Sequence, residues 1–337
     1  MKAQIIGLGN VGRNLVKLLQ TKTKFLAEIG ANIKIVSVSD SSGTAIDENG
    51  LDLSQVMKYK KLQWKGYSKY QRGRTAIDAI NNVDSDLVIE LTPSTLDGEP
   101  GLTNIRTAFK ARRHVVTANK GPLACAYTEL IRTAEEMRVS FLYEATVAAQ
   151  VPIFCMINSC FLADEIVKVE GILNATTNFI IGEIENGKTF QEALEKAIAD
   201  GWAETNYADD IDGVDAARKV VILANSLFRQ RVKLSDVRVE GIRRVESMIR
   251  RATLAGEKIK LVCEIEKKQG KVKTAVKLGH VPMSDPLATV KHGDMGVKFL
   301  FKTSKQIFVS AQFLGPMQTA YAVLNDSIKI ALNKRSC

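Results

Sequence analysis

The sequence lacks long apolar runs and paired cysteine motifs. Nowhere in its 337 residues does an uncharged apolar run reach the length of about eighteen that a membrane-spanning helix needs. Its amino terminus has no small-residue cleavage site of a secretory signal, which favours a cytoplasmic protein. None of the five cysteines forms a C-x-x-C pair or has a histidine at ligand spacing. Reduced thiols are therefore expected rather than a zinc site or a disulfide framework.

The composition is that of a folded protein long enough for two domains. Apolar residues make up 45% and charged residues 25% of the chain, which excludes disordered and fibrous classes. The net charge of +10 comes from basic residues scattered along the chain, and they match no nucleic-acid-binding signature. A solvated basic surface is favoured, with neither nucleic acid nor membrane as partner. In residues 57–74, however, aromatic residues alternate with Lys and Arg, and a loop near a cofactor explains that segment equally well.

The first residues carry a dinucleotide-binding pattern. An apolar strand over residues 3–7 runs into GLGNVG and then into apolar residues at helical spacing. In such a turn Gly7 permits the tight bend, Gly9 lets the backbone approach a pyrophosphate, and Gly12 lets the helix pack on the strand. The predicted cofactor-binding residues of this loop are Gly7, Gly9, Asn10, Val11 and Gly12.

The next predicted strand ends in Asp40, a candidate for binding the adenosine ribose. Its carboxylate can accept both ribose hydroxyls, and the alternative is a simple turn residue. Asp40 lies 28 residues after Gly12, more than the usual spacing of about 20. A carboxylate here favours NAD by repelling the 2′-phosphate of NADP, but Ser41, Ser42 and the basic segment 57–74 can still accommodate that phosphate. The sequence leaves the cofactor preference open.

Two further buried-strand patterns end in polar residues. They cover residues 86–94 and 113–121, and an open parallel sheet binds its ligand where such strands end. Thr92, Ser94 and Lys120 are therefore expected to converge on the cofactor crevice.

The pattern changes after about residue 150. Strands there flank helices expected over about 190–200, 213–229 and 233–256, which is typical of an α+β domain. The sequence predicts an α/β protein with a Rossmann-type parallel-sheet domain at residues 1–145. A second, α+β domain follows at 146–310, and a C-terminal helix at 311–337 returns to the first domain.

Asp215 and Lys219 stand four residues apart on a predicted helix and share one face. From spacing alone, an exposed ion pair worth a few tenths of a kcal/mol is the favoured interpretation. Several carboxylates lie just upstream, and they form either a pocket for a substrate amine or a solvated acidic loop. These upstream acids are Glu204, Asp209, Asp210 and Asp212.

Five motifs in this order resemble the homoserine dehydrogenase family from residue 3 to about residue 328. They are VTANKGPLA, YEATV, GILNATTNFI, DDIDGVDAARKVVILA and GPMQTAYAV. The family reduces L-aspartate 4-semialdehyde to L-homoserine with NAD(P)H, in threonine and methionine biosynthesis. The resemblance implies a Rossmann domain, an α+β domain for substrate binding, catalysis and dimerisation, and a homodimer.

The resemblance implies catalytic roles for Lys219, Asp215 and Lys120. Lys219 matches the family's catalytic lysine in the motif D-x-A-R-K, and Asp215 matches a substrate-binding aspartate. Hydride arriving at an aldehyde carbon leaves negative charge on the oxygen, which an ammonium stabilises and protonates. Lys120 is a second cation that orients the aldehyde or shares the proton-donor role.

The resemblance also implies contacts to substrate, cofactor and a cation. Substrate contacts are Glu204, Asp210, Thr176 and Asn178, with Glu204 holding the amino group. Cofactor contacts are Gly201 and, in the loop that closes over the nicotinamide, Gly315. A monovalent cation, sodium, is expected at Glu144 and the carbonyls of Val147, Ala149 and Val151, since hard cations prefer oxygen ligands.

Two loops depart from the family pattern. The turn after YEATV reads Ala148, Ala149, Gln150 where the family has glycines, and the loop before the last motif keeps only Gly315. These departures motivate the first of two alternatives, and the second is independent of them. One is a catalytically weakened NAD(P)-binding homologue that acts as a sensor or scaffold, and the other is a dehydrogenase for a related amino-acid carbonyl substrate.

Overall fold

Residues 1–203 and 207–333 are described by the structure, a computed structural model. The chain divides into two units. Unit 1 comprises Met1–Gln150 and Pro316–Cys337, and unit 2 comprises Val151–Gly315. Within the described ranges, no helix combines the length and apolar character needed to cross a bilayer.

Unit 1 alternates strands and helices, as the sequence predicts. Its elements are β1 Lys2–Ile6, α1 Asn10–Thr21, α2 Thr23–Glu28, β2 Lys34–Asp40, β3 Gly43–Ile46, α3 Leu53–Lys61, β4 Tyr70–Arg72, α4 Ala76–Asn82, β5 Leu87–Glu90, α5 Gly101–Lys110, β6 His114–Thr117, α6 Lys120–Met137, β7 Phe141–Leu142, α7 Ala145–Ala148 and, last in the chain, α14 Pro316–Ala331.

The seven strands of unit 1 form one sheet in the order β4-β3-β2-β1-β5-β6-β7. The strands β2, β1, β5, β6 and β7 are parallel to one another, while β3 and β4 extend the sheet beyond β2 as antiparallel strands, with β4 at the edge. The chain leaves β1 for β2 on one side and later returns to β5 on the other. This reversal opens a crevice at the carboxyl ends of the strands, where doubly wound sheets bind nucleotides.

The last helix, α14, packs against α1 in unit 1. Its apolar residues Ala320, Val323 and Leu324 share one buried cluster with Leu15 and Leu19 of α1. Residues three and four apart lie on one face of a helix, so this spacing gives α14 a continuous apolar stripe for α1. The end of the chain thus completes the core of unit 1.

Unit 2 begins with helices and is built around a second sheet. Its elements are α8 Ile153–Cys160, β8 Ile166–Ile172, α9 Ala175–Glu185, α10 Phe190–Ala199, α11 Ala208–Ile211, α12 Val214–Leu227, a 3₁₀ turn Leu234–Asp236, β9 Arg238–Val239, α13 Val245–Leu254, β10 Glu257–Lys268, β11 Lys271–Pro282, a 3₁₀ turn Pro286–Thr289, β12 Met295–Phe301 and β13 Gln306–Ala311.

The sheet of unit 2 has the strand order β13-β12-β8-β10-β11-β9. All neighbours are antiparallel except β11 and β9, and α9, α12 and α13 pack against β10. Segregated helices on a mainly antiparallel sheet define an α+β unit. The predicted fold class, a Rossmann-type parallel sheet with a second α+β unit, is confirmed.

The single long helix expected over 233–256 is wrong in its first half. Arg238–Val239 instead form β9, which pairs with β11, and α13 begins only at Val245. Between them the chain passes close to α11, since a Cβ built on Gly241 would lie 2.5 Å from the carbonyl oxygen of Ile211. Pairing with the exposed edge of β11 therefore overrides the local helical pattern.

Candidate active site

The glycine loop between β1 and α1 has the geometry that its three glycines predict. Gly7 has φ +97°, and a Cβ built there would lie 2.5 Å from the carbonyl oxygen of Leu91. A Cβ on Gly12 would lie 2.2 Å from the carbonyl oxygen of Gly7, whereas a Cβ on Gly9 would meet no atom within 4 Å. The first and third glycines are thus needed for packing. The second leaves open space beside the backbone for a ligand.

The residues around this loop fit a dinucleotide. Helix α1 begins at Asn10, and its N-cap is Gly9, which has no side chain to cap the amides of the first turn. Uncapped amides at a helix N-terminus bind phosphate groups. After β5, the hydroxyl of Ser94 is buried and has no hydrogen-bond partner within the described part of the chain. The loop offers backbone donors for a pyrophosphate. Ser94 follows β5, which is next to β1 in the sheet, and its buried hydroxyl is available to a ligand.

Asp40, at the end of β2, is already saturated with hydrogen bonds from its own chain. Its Oδ1 accepts bonds from the backbone and hydroxyl of Ser42 at 2.9 and 2.8 Å and from the Tyr70 hydroxyl at 3.0 Å. Its Oδ2 accepts bonds from Lys60 Nζ at 2.5 Å and Trp64 Nε1 at 2.6 Å. Burial acts to raise the pKa of Asp40, but these bonds outweigh it and hold the pKa well below its usual range.

The basic and aromatic segment 57–74 supplies most of these donors. The rings of Trp64 and Tyr70 stack with centroids 4.5 Å apart, and those of Tyr59 and Tyr67 stack at 4.7 Å. Because a carboxylate offers about four lone pairs, five donors leave Asp40 little capacity for a ribose. The sequence identified Asp40 but missed the partners that neutralise it.

Glu90, which the sequence analysis did not select, lies fully buried at the end of β5. Its carboxylate accepts bonds from the backbone of Thr92 at 3.0 Å, from the Thr92 hydroxyl, and from the Thr117 hydroxyl at 3.3 Å. The side chain of Asn119 also bonds to it. Burial raises the pKa of Glu90 despite these bonds. An acid inside the apolar run LVIEL was the signal that pointed to this residue.

Glu90 connects the two strand ends that the sequence predicts to bind cofactor. Asn119 donates to the Thr92 hydroxyl at 3.1 Å, and its Oδ1 accepts the Gly121 backbone amide at 3.0 Å, which caps α6. Lys120 is the first residue of that helix. The network around Glu90 therefore fixes both Thr92 and the helix end that carries Lys120.

In unit 2, Lys219 and Asp215 form a buried ion pair rather than an exposed one. Both lie on α12, their charged atoms are 2.8 Å apart, and each residue is 8% exposed. Lys219 also donates to the carbonyl of Leu173, which follows β8. Burial excludes the surface ion pair that spacing alone favoured. Lys219 therefore lies in a poorly solvated environment, where its charge interacts strongly with neighbouring groups.

Asn174 ties this ion pair to the upstream acidic segment. It donates to Asp215 at 2.9 Å and to Asp210 at 2.6 Å. Its position as N-cap of α9 fixes it, because its Oδ1 also accepts the Thr177 backbone amide at 2.8 Å. These contacts join Asn174, Asp210, Asp215 and Lys219. We call these four residues the lysine cluster.

The other acids of that segment have different partners. Asp209 accepts a bond from the buried Arg218 at 2.9 Å, and Asp212 pairs with Arg243 through contacts of 2.6 and 3.0 Å. They hold the segment in place, so the acidic stretch is divided between structural ion pairs and the lysine cluster. Glu204, the predicted contact to the substrate amine, lies outside the described residues.

The two predicted substrate contacts on α9 make internal hydrogen bonds. The Thr176 hydroxyl donates to the carbonyl of Trp202 at 2.7 Å, next to the predicted cofactor contact Gly201. Asn178 accepts a bond from Lys260 at 3.0 Å and donates to the carbonyl of Asp294 at 3.1 Å. Both residues are buried, and their substrate contacts stay predictions.

The predicted cation ligands lie where the chain passes from unit 1 to unit 2. The Glu144 backbone amide donates to Asp326 at 3.0 Å, Val147 lies in α7, and Val151 begins unit 2. Ala149 has φ +48°, the left-handed region that favours glycine. The turn thus keeps a glycine-like backbone although its glycines are replaced. No cluster of three His, Cys, Asp or Glu side chains suited to a metal occurs in the described ranges.

Comparison with known proteins decides the family. The family model described as homoserine dehydrogenase matches residues 152–328, and one described as Glutamate/Leucine/Phenylalanine/Valine dehydrogenase matches residues 1–121. Homoserine dehydrogenase of Methanocaldococcus jannaschii is 40% identical over 97% of this chain and 97% of its own length. The chain belongs to the homoserine dehydrogenase family.

Further relatives agree over nearly the whole chain. An NAD(+)-dependent homoserine dehydrogenase of Pseudomonas canavaninivorans is 32% identical over 98% of this chain and 96% of its own. The crystal structure of homoserine dehydrogenase from Thermoplasma acidophilum, 28% identical, has a TM-score of 0.85 over 99% of each chain. As a homoserine dehydrogenase family member, the chain is an NAD(P)-dependent oxidoreductase acting on a CH–OH group. The relatives that match nearly the whole chain are all named homoserine dehydrogenases, and the model named for dehydrogenases of other substrates matches residues 1–121 alone.

The buried network in unit 1 makes Glu90→Gln informative. The glutamine side chain has one acceptor oxygen where Glu90 has two, and its NH₂ group faces neighbours that are themselves donors. Thr92 and Asn119 therefore no longer share one carboxylate acceptor. A hydrogen bond to a charged group is worth about 1.5–3 kcal/mol, so the Kd for NAD(P)H should rise about tenfold or more. Fluorescence titration of NAD(P)H measures this change.

The matched control for this variant is Glu136→Gln, an exposed acid on α6, which should leave the Kd unchanged. If folded Glu90→Gln binds NAD(P)H as tightly as the parent protein, the Glu90 network does not position the cofactor site.

Proposed function

We propose that unit 1 binds NAD(P) and that Lys219 serves the carbonyl oxygen of L-aspartate 4-semialdehyde. The observation that carries this proposal is the buried ion pair of Lys219 and Asp215, joined by Asn174 to Asp210. Buried charges are costly to a fold, and a catalytic or binding role explains why this chain keeps them here. A partly buried cation beside carboxylates suits a substrate with a carbonyl at one end and an amine at the other.

The lysine cluster accounts for the acid step. The bound cofactor supplies a hydride to the aldehyde carbon. A lysine ammonium has three N–H groups, and those of Lys219 are directed partly to Asp215 and to the carbonyl of Leu173, which leaves capacity for the substrate oxygen. As charge builds on that oxygen, Lys219 stabilises it and donates the proton. Asp215 orients the ammonium, and Asn174 holds the Asp215 carboxylate in place.

We assign the remaining roles by position and charge. Asp210, with Glu204, binds the substrate amine, because carboxylates complement an ammonium. Lys120 begins α6, which Asn119 caps, and the family resemblance gives it the role of a second cation toward the aldehyde. Gly7, Gly9 and the start of α1 hold the pyrophosphate, while Thr92 and Ser94 contact the nicotinamide half.

Lys219→Ala should lower kcat by about two orders of magnitude or more, the contribution of a general acid. The control is Lys271→Ala, an exposed lysine of unit 2, which should retain activity. Steady-state assays with L-aspartate 4-semialdehyde measure kcat, and circular dichroism checks that each variant is folded. Undiminished kcat in a folded Lys219→Ala protein would remove the role assigned to this lysine.

We further propose that Asp40, together with the residues that donate hydrogen bonds to it, permits NADP(H) as well as NAD(H). Lys60 lies 2.5 Å from Asp40 and compensates the negative charge that would repel a 2′-phosphate. Its ammonium is also a ready partner for that phosphate. A carboxylate alone at this position would select NAD, so Lys60 sets the balance. The relative from Pseudomonas canavaninivorans, named NAD(+)-dependent, supports use of NAD.

Lys60→Met should shift the cofactor preference toward NADH. The variant removes a cation from the 2′-phosphate and leaves the negative charge of Asp40 uncompensated by Lys60, and both effects act in the same direction. We expect the ratio of kcat/KM for NADPH to that for NADH to fall about tenfold or more, as for one charge-assisted hydrogen bond. Lys61→Met, at the next and exposed position, is the control, and an unchanged ratio in Lys60→Met contradicts the proposal.

We propose that Glu144 and the carbonyls of Val147, Ala149 and Val151 bind sodium. The support is the family resemblance together with the left-handed Ala149, whose backbone differs from an ordinary helix end. Sodium is a hard cation and prefers carboxylate and carbonyl oxygens.

Sodium binding should raise the melting temperature in sodium chloride relative to choline chloride at equal ionic strength. A ligand at ten times its Kd stabilises the folded state by about 1.4 kcal/mol, a rise of about 2 °C for a protein of this size. Glu144→Gln should abolish the difference, and Glu136→Gln should retain it. Equal melting temperatures of the parent protein in the two salts would argue against the site.

We also propose that the protein works as a homodimer in the cytoplasm, in threonine and methionine biosynthesis. The homodimer and the pathway rest on the family resemblance, and the cytoplasmic location is the expectation drawn above from the sequence. The chemistry agrees with the pathway, since homoserine retains the amine and gains the hydroxyl that later steps modify.

A further inference from the structure

Lys260, on β10, is a buried charge that the proposed mechanism does not use. The residue is 1% exposed. Its one hydrogen bond within the described part of the chain goes to Oδ1 of Asn178 at 3.0 Å. Burial lowers the pKa of Lys260 to about 8, with Glu185 opposing and Lys258 adding to the effect. A buried ammonium with so few partners is costly, and an apolar side chain of similar length would avoid that cost.

The bond from Lys260 is the first of three that run through unit 2. Asn178 donates through Nδ2 to the backbone carbonyl of Asp294 at 3.1 Å. The carboxylate of Asp294 then accepts the backbone amide of Phe313 at 3.3 Å. The series joins β10 to the segment 312–315, which ends at the predicted cofactor contact Gly315.

Aromatic packing also holds the turn that contains Gly293 and Asp294. A Cβ built on Gly293 would lie 2.1 Å from the ring of Trp202, so the turn rests directly on the indole and only glycine fits there. The indole stacks on Phe179 of α9 with centroids 5.2 Å apart and meets Phe313 at 6.4 Å. A displacement of the turn would therefore disturb Phe313 through both its backbone amide and its ring.

A lysine suits the start of this series because of its hydrogen-bonding chemistry. An ammonium only donates, so it bonds to the oxygen end of an amide and never to the nitrogen end. Lys260 thereby fixes which way the amide of Asn178 points and directs the Nδ2 donor to the carbonyl of Asp294. With a methionine at this position the amide could rotate and release the turn.

We propose that Lys260 is a positioning residue for the segment 312–315, acting through Asn178 and Asp294. The ordering of the segment is a property of unit 2 alone. Its benefit to catalysis rests on the proposed function, in which Gly315 contacts the cofactor. The two parts have separate measurements.

The first measurement is limited proteolysis of Lys260→Met by chymotrypsin, which cleaves after Phe313 and after Leu314, a side chain 75% exposed. Loss of the hydrogen-bonded series should accelerate cleavage at these two bonds about fivefold or more, because cleavage follows the population of the open segment. Mass spectrometry identifies the fragments. Lys258→Met, two residues away on the same strand and paired with Glu185, should cleave at the parent rate.

The second measurement is the split between KM for NAD(P)H and kcat in the same variants. A rise in KM for the cofactor with accelerated cleavage supports both the positioning role and the cofactor role of Gly315. Accelerated cleavage with an unchanged KM still supports the positioning role and counts against Gly315 as a cofactor contact. Parent-like cleavage in folded Lys260→Met overturns the proposal.

Two further variants test whether the bonds act in series. The double variant Lys260→Met with Asn178→Leu should cleave no faster than either single variant, because both interrupt the same series. Additive acceleration of cleavage in the double variant contradicts the proposal that the bonds act in series. If Lys260→Met does not fold, Asp294→Ala removes the last bond from a partly exposed turn. That variant must show the acceleration, or the proposal fails.

Discussion

The ion pair between Lys219 and Asp215 is the interaction on which the arrangement of the site in unit 2 depends. The two groups are 2.8 Å apart and nearly buried, and a buried pair is tolerated only when further hydrogen bonds satisfy both partners. The carbonyl of Leu173 and the amide of Asn174 provide those bonds. Since both follow β8 and precede α9, the end of that strand must meet the first turns of α12. The same Asn174 reaches Asp210, so the ion pair to which we assign the chemistry also fixes the residues around it.

Unit 1 shows how the same side-chain chemistry serves two purposes at neighbouring strand ends. Asp40 is surrounded by donors that include an ammonium, and its pKa is held low. Glu90 has only neutral donors among its bonds, and burial raises its pKa. The first carboxylate is kept charged and adjusts the electrostatics where the ribose is expected. The second has no access to solvent and links Thr92 to Asn119, so it fixes the two strand ends where the cofactor is expected.

The sequence predicted what depends on neighbouring residues and missed what depends on distant ones. The glycine loop, the polar strand ends and the helices α10 and α12 follow from local patterns, and the structure contains them. The burial of Lys219 did not follow, because spacing of four residues is the same for an exposed and a buried pair. The partners of Asp40 come from residues 42 to 70 and were visible only as an unusual composition. The helix expected over 233–256 failed because pairing of β9 with β11 is a tertiary contact.

The loops that lack the family's glycines are held by other means. Ala149 has a φ of +48°, which favours glycine, and the Glu144 amide just before this turn is bound to Asp326, so contacts outside the turn help to specify its shape. In the segment before α14, Phe313 adds a side chain that meets the ring of Trp202 and an amide that Asp294 holds. A glycine could not make the first contact and would give the chain more conformations to lose on ordering. Replacing glycine therefore makes the loop less flexible and gives it one defined position. Lys260 orients Asn178, which bonds to Asp294, and thereby connects the buried sheet of unit 2 to the loop.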